Sequence, residues 1–171
     1  MIQILGELFA RTRHSVTHLE MRDTYGAGGP DYRLWREGVP IEQIAQYGNV
    51  APWVTLVREH VTRGVVFRRA RIVSEPVSDY IRFEHAATGY SNIAAGEQVR
   101  WLPRQRAADL ALPGCDFWQF DDALVCWVFQ SGDGDPVGYE LTEDPNAAKL
   151  CVSAFEAVWE RGIDHGEYQP T

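Results

Sequence analysis

Val65-Val-Phe-Arg-Arg-Ala-Arg-Ile-Val73, continued by Ser74-Glu-Pro-Val-Ser-Asp-Tyr-Ile-Arg-Phe-Glu84, has the pattern of a strand that runs into a helix. Its first half is rich in β-branched residues and partly alternates, which predicts a central strand. Its second half changes period. Pro76 suits a first helical turn with Ser74 or Glu75 near the cap, and Tyr80, Ile81 and Phe83 carry the helix onward. Upstream, Trp53, Leu56, Val57, His60 and Val61 fall at helical spacing behind Pro52, and Gly64 supplies a C-terminal stop. Downstream, Glu97 to Leu102 returns to strand, followed by a short helix or turn holding Arg104 and Arg106.

Beyond this unit the chain reads as a meander. Phe117 to Phe120, Ala123 to Phe129 and Val137 to Leu141 are strand-like, joined by Asp121-Asp122 and by Ser131 to Pro136. A last helix starts near Thr142 or Asp144 with Pro145 in its first turn, and its stripe includes Leu150, Ala154, Phe155, Val158 and Trp159. The polar tail after Gly162 is expected to end at the surface. Before residue 50, residues 3–12 read as an amphipathic helix and His14 to Met21 as a strand. Gly26-Ala-Gly-Gly-Pro30 reads as a loop, with short helical pieces at Tyr32–Arg36 and Ile41–Tyr47. The expected architecture is α/β, a mixed β-sheet with flanking helices, in one domain over 1–171 whose residues 1–48 form a less regular N-terminal addition.

A chain of 171 residues with 45% hydrophobic residues is long and apolar enough to bury a core. Its longest apolar run, around Leu124 to Phe129, fits a strand and not a membrane span. The start, Met1-Ile-Gln-Ile-Leu, lacks the basic region of a secretory signal. Cys115, Cys126 and Cys151 are odd in number and scattered among apolar neighbours, which predicts free thiols and a cytoplasmic location. The net charge of −8 divides into −1 over residues 1–57, +4 over 58–106 and −11 over 107–171. That overall acidity opposes membrane binding and direct nucleic-acid binding.

Several chemistries fail on spacing. No two cysteines lie close enough for a zinc site, and His14 and His18 bring no third ligand, so no metal is expected. Gly89-Tyr90-Ser91-Asn92-Ile93 breaks the nucleophile-elbow pattern at Ile93. The lone lysine, Lys149, follows no glycine loop, which excludes a Walker A motif, and Gly26 to Gly29 lacks the last glycine of a dinucleotide site. Counting a calcium loop from Asp133 puts Val137 and Asp144 where ligands of other types are required. Paired acids such as Asp121-Asp122 read as a turn. No cofactor is expected.

The densest polar block is the opening stretch itself. On a strand Arg69 and Arg71 share one face and Arg68 the other. Glu75, Ser78 and Arg82 share a helical face, Asp79 lies beside them, and Arg100 and Arg104 approach from the next strand. Converging at a helix N-terminus, these groups would bind a phosphate, a carboxylate or an acidic peptide. The competing reading is a structural network in which Glu75, Asp79 and Glu84 pair with the arginines.

Four phrases carry a resemblance: Arg71-Ile-Val-Ser-Glu-Pro-Val-Ser-Asp-Tyr-Ile-Arg-Phe-Glu84, Val99-Arg-Trp-Leu-Pro-Arg104, Asp116-Phe-Trp-Gln-Phe-Asp-Asp122 and Phe155-Glu-Ala-Val-Trp-Glu-Arg161. Through them the chain resembles a family of uncharacterised actinobacterial proteins over about residues 51–168. The resemblance implies a non-enzymatic regulatory or interaction role, with a protein partner such as a helix-turn-helix regulator or a small anionic ligand. The order of strand, helix, strand, Asp-Phe-Trp hairpin and Phe-Glu-x-x-Trp helix also looks like one half of a phospholipase D-like domain. That family's active site uses His-x-Lys followed by Asp. Here Asp116-Phe117-Trp118 stands near the corresponding place, so the resemblance implies a binding scaffold, with Asp116 and Trp118 among its candidate ligand contacts. An enzyme of specialised metabolism on the same scaffold is the alternative. An enclosed pocket holding Tyr80 or His85 beside perturbed carboxylates would mark it.

Overall fold

The computed structural model describes residues 2–26, 29–47 and 50–171. Ala27 and Gly28 of the expected glycine loop lie outside them. In chain order the elements are α1 (Ile2–Arg11), β1 (Ser15–Glu20), α2 (Pro30–Arg36), α3 (Ile41–Tyr47), α4 (Val50–Thr62), β2 (Val66–Val73) and α5 (Asp79–Thr88). There follow β3 (Gln98–Pro103), β4 (Asp116–Phe120), β5 (Leu124–Gln130), β6 (Pro136–Thr142), α6 (Pro145–Arg161) and β7 (Ile163–Asp164). The strands form one mixed seven-stranded sheet in the order β6-β5-β4-β1-β2-β3-β7. β1, β2 and β3 are parallel neighbours, and every other pairing is antiparallel.

Strand alternation sorts the side chains into two layers. Leu19, Ala70, Ile72, Leu102, Phe117 and Val125 face α6, where Cys151, Phe155 and Val158 complete the core. On the other face Val16, Phe67, Trp118 and Cys126 pack under α1 and α4 through Leu8, Phe9 and Val57. Farther along that face Val99 and Trp101 meet Tyr80, Ile81 and Phe83 of α5. Phe9 and Phe155 are essentially sealed from water, and such side chains each contribute about 1.5–3 kcal/mol by burial.

Three local expectations change. The helix after β2 starts at Asp79 rather than at Pro76, because Ser78 is its cap and accepts from the Ile81 amide at 3.2 Å. Ser74, expected near that cap, instead gives both its amide and its hydroxyl to the Asp23 carboxylate, each at 2.7 Å. Residues 1–48, read as a less regular addition, supply β1 at the centre of the sheet. The tail after Gly162 reaches the surface as read, with Thr171 exposed, but packs against the sheet on the way. It forms β7 beside β3, buries Tyr168 flat against Trp101, and ends with the Thr171 carbonyl accepting from the Val77 amide at 2.8 Å.

The Asp121-Asp122 turn forms as read: both residues take positive φ (50° and 56°), and the Ala123 amide donates to the Phe120 carbonyl at 3.1 Å within a three-residue loop between the paired Phe120 and Leu124. The Asp121 carboxylate also accepts from the amides of Arg13, His14 and Ser15, tying the entry of β1 to the β4–β5 turn. No helix among the described residues is long and apolar enough to cross a membrane.

Candidate functional site

Parallel pairing of β1 with β2 sets His18 beside Arg69 and Glu20 beside Arg71, and antiparallel pairing with β4 sets His18 beside Trp118. All five side chains fall on the α4/α5 face of the sheet. A guanidinium buried there must find acceptors, and these arginines do. Arg69 Nη1 donates to Glu20 Oε1, and its Nε donates to Glu97 Oε2 at 3.0 Å. Arg71 Nε donates to Glu20 Oε2, its Nη1 to Thr88 Oγ1 at 2.6 Å, and its Nη2 pairs with Glu84 Oε2 at 3.0 Å. Glu97 is held in turn by Trp53 Nε1 at 2.8 Å and Asn92 Nδ2 at 2.9 Å. Burial works against the charge of Glu20, but Arg71 and Arg69, helped by His18, outweigh it and hold the carboxyl well below its usual range.

Asp116 sits two residues from Trp118 on the same face of β4, and among the described residues no cation is bonded to it. Tyr25 Oη donates to its Oδ2 at 2.6 Å, Gln130 Nε2 to the same oxygen at 3.3 Å, and the Met21 amide to Oδ1 at 2.9 Å. The residue is 1% exposed, and burial, reinforced by the charge of Glu20, pushes its carboxyl up against those hydrogen bonds. The Tyr25 hydroxyl is pushed well above its usual value by burial and by the charges of Glu20 and Asp116.

Above these groups lies a cavity of about 570 Å³, within the span of small-molecule sites. The sheet is its floor, α2, α4 and α5 are its walls, and Gly134 and Pro136 of the β5–β6 turn lie on its rim. The aromatic rings of Tyr25, Tyr32, Trp53, Tyr80, Phe83 and Trp118 line it. Its charged lining is four carboxylates (Glu20, Asp31, Glu84, Asp116) against two guanidiniums (Arg69, Arg71). Tyr80 donates to Glu84 Oε1 at 3.0 Å. Among the described residues no group of three or more His, Cys, Asp or Glu side chains is placed to hold a metal ion.

Of the residues expected from sequence, Arg69, Arg71, Asp116 and Trp118 meet at this cavity, and the others do not join them. Glu75 accepts from Tyr168 Oη at 2.9 Å, and Ser78 is occupied as a helix cap that also donates to the Asp23 carbonyl at 3.1 Å. Asp79 pairs with Arg36 at 3.0 Å, and Arg82 reaches only the Pro170 carbonyl, at 3.4 Å. Arg100 bonds Asp164 at 2.8 Å and the Trp159 carbonyl at 2.9 Å, across the other face of the sheet. Arg104 ties Ser74, Met21 and Asp23 together. Pro76 and Ser78 do not share a helix turn, so the expected face through Glu75, Ser78 and Arg82 never forms. Of the three local acids expected to pair with the β2 arginines, only Glu84 does. His85 lies outside the cavity, packed against His165 and Trp101.

Sequence reasoning missed Glu20, Glu97, His18, Tyr25 and Trp53. The usable signal was alternation: His18 and Glu20 share a strand face, and two arginines on a core strand require acids from elsewhere.

The fold is shared with solved structures at low identity. Nuc, a phospholipase D family member from Salmonella typhimurium, aligns over 95% of this chain and 89% of its own at 12% identity and a TM-score of 0.55. NucT from Helicobacter pylori aligns over 95% of this chain and 89% of its own at 13% identity and a TM-score of 0.52. TrmBL2, an archaeal chromatin protein, aligns over 94% of this chain and 49% of its own at 12% identity and a TM-score of 0.49, a level at which nothing is carried over. No curated protein sequence matches the chain. A family model does match, over residues 3–170, and by it the chain belongs to the DUF6879 family, a domain of unknown function.

Proposed function

We propose that this protein is a non-enzymatic binding domain whose cavity takes a small organic cation with a flat apolar body, such as an arylalkyl amine. One observation carries the reading: four carboxylates and six aromatic rings surround two guanidiniums that are already bonded to carboxylates. The summed field in the cavity is therefore negative, and ring faces add to the attraction for a cation. The anionic ligand expected from the arginine count would first have to displace Glu20, Glu84 or Glu97, leaving each carboxylate buried without its partner. A cytoplasmic, regulatory setting fits the free thiols of Cys115, Cys126 and Cys151, with a protein partner such as a helix-turn-helix regulator reading the loaded state.

The test is calorimetric titration of the whole chain with phenethylamine, its carboxylate counterpart and inorganic phosphate, followed in parallel by tryptophan fluorescence from Trp53 and Trp118. The amine binds, the two anions do not, and Asp116→Asn weakens the amine about tenfold by removing one unneutralised charge. Saturable phosphate binding with no response to the amine sinks the reading.

Catalysis is the second reading, and the perturbed pair Glu20 and Asp116 beside Tyr80 favours it. Carboxylates pushed in opposite directions are the usual arrangement of an acid and a base. Against it, both Glu20 oxygens are taken by arginine, and the Ser91 hydroxyl is spent on the Ala87 carbonyl at 2.8 Å. Turnover of a bound amine that Asp116→Asn abolishes without weakening binding would decide for catalysis.

A further inference from the structure

We infer that the outer edge of β6 is a docking site for an extended, basic polypeptide segment that adds a strand to the sheet. Among the described residues β6 is the terminal strand of the sheet and pairs only with β5. Tyr139 and Leu141 lie on one face by alternation and are 46% and 40% exposed, and Val137, the extra residue at the irregularity before Gly138, is 65% exposed. An edge strand with a free backbone and an apolar face is a template for strand addition, and soluble proteins ordinarily blunt such edges. Here the blunting is confined to the start, where Pro136 lacks an amide and the pairing is irregular at Phe129/Gln130. From Gly138 to Thr142 the pairing with β5 is regular and the outer edge continuous.

Charge identifies the occupant. Between Ser131 and Asp144 stand Asp133, Asp135, Glu140, Glu143 and Asp144, with no basic residue among them. A second copy would bring five acids against five more on a chain of net charge −8, so edge-to-edge self-pairing is opposed. A segment alternating lysine or arginine with β-branched residues meets both features at once. Its apolar positions continue the Tyr139–Leu141 face, and its basic positions lie opposite Glu140 and near the acids at the strand ends. The inference rests on the outward backbone edge of β6 and needs no occupant in the cavity, whose rim Pro136 shares.

The experiment uses the full chain and a capped peptide of about ten residues alternating valine and arginine, with a valine–glutamate peptide as control. Anisotropy measures affinity, amide hydrogen exchange locates the contact, and sedimentation reports the oligomeric state. The arginine peptide binds and slows exchange across 137–142, while the glutamate peptide binds at least about tenfold more weakly. Val137→Lys with Leu141→Lys replaces two exposed side chains, leaves the melting transition in place, and weakens the arginine peptide by about tenfold or more. Equal binding of both peptides, protection elsewhere than 137–142, full affinity in the double variant, or dimerisation through β6 each overturns the inference.

Discussion

His18 lies flat on Trp118, with ring centroids 3.8 Å apart and planes 8° from parallel. The two residues are cross-strand partners on β1 and β4, so sheet register alone brings the rings together. His18 Nδ1 contacts the Phe117 carbonyl at 2.7 Å and its Nε2 lies 3.1 Å from Glu20, which fixes the imidazole in the plane of the stack. The Arg69 guanidinium stands over the same indole, 5.1 Å from its centroid. Trp118 thus holds the apolar core under α1 against the charged floor of the cavity.

Trp118→Ala removes a buried ring touching both systems and should cost about 3–5 kcal/mol of unfolding free energy. Denaturant titration checks the cost. A loss below about 1 kcal/mol would show that the surrounding rings close over the gap.

Glu20→Gln should destabilise by about 3–5 kcal/mol, because it leaves Arg69 and Arg71 buried with one shared carboxylate fewer. Arg68→Ala breaks a part-buried pair with Glu156 on the other face and strips the guanidinium from Phe155 and Trp159, and should cost about 1–2 kcal/mol, less than Glu20→Gln. Comparable losses in the two variants would contradict the placement of Glu20.

Acidification should loosen the C-terminal tail. Burial, with the charges of His85 and Arg71, lowers His165 from its ordinary value of 6.5 to about 4. The unfolded chain therefore takes up this proton first, and stability falls as pH drops from about 6.5 towards about 4. Trp101 Nε1 donates to His165 Nδ1 at 3.2 Å, a bond that needs the neutral ring. Hydrogen exchange at 163–168 should quicken over that window, and His165→Phe should flatten the response.

Thiol alkylation should be ordered. Burial pushes Cys126 up to about 11 and Cys151 up to about 12, so neither carries appreciable thiolate at neutral pH. Cys115 is partly exposed and should be modified first, as read by mass spectrometry of the native protein. Early modification of Cys126 would place it outside the core.

Asp121→Ala should cost about 1–3 kcal/mol, since it strips one carboxylate from three backbone amides. Asp122→Gly at φ 56° should be neutral or stabilising, because glycine tolerates the left-handed conformation. Thermal melts of the two variants should move apart.

The sequence by itself determined the elements. Partial alternation marked β2, strand-like runs of apolar and aromatic residues marked β4 and β5, Pro145 behind Asp144 marked the start of α6, and Asp121-Asp122 marked a tight turn. These features depend on residues within one turn or one strand of each other. Only tertiary structure decided which charges meet. Glu20 lies 49 and 51 residues from the arginines it joins, and Asp116 lies 91 residues from Tyr25. The sequence shows that buried guanidiniums need acceptors, but strand order and register choose the acceptors. Here they choose Glu20 and Glu97 as well as Glu84, and leave Glu75 and Asp79 to other partners. That choice changes the surroundings of the block richest in arginine, which becomes the floor of a cavity lined by four carboxylates against two guanidiniums.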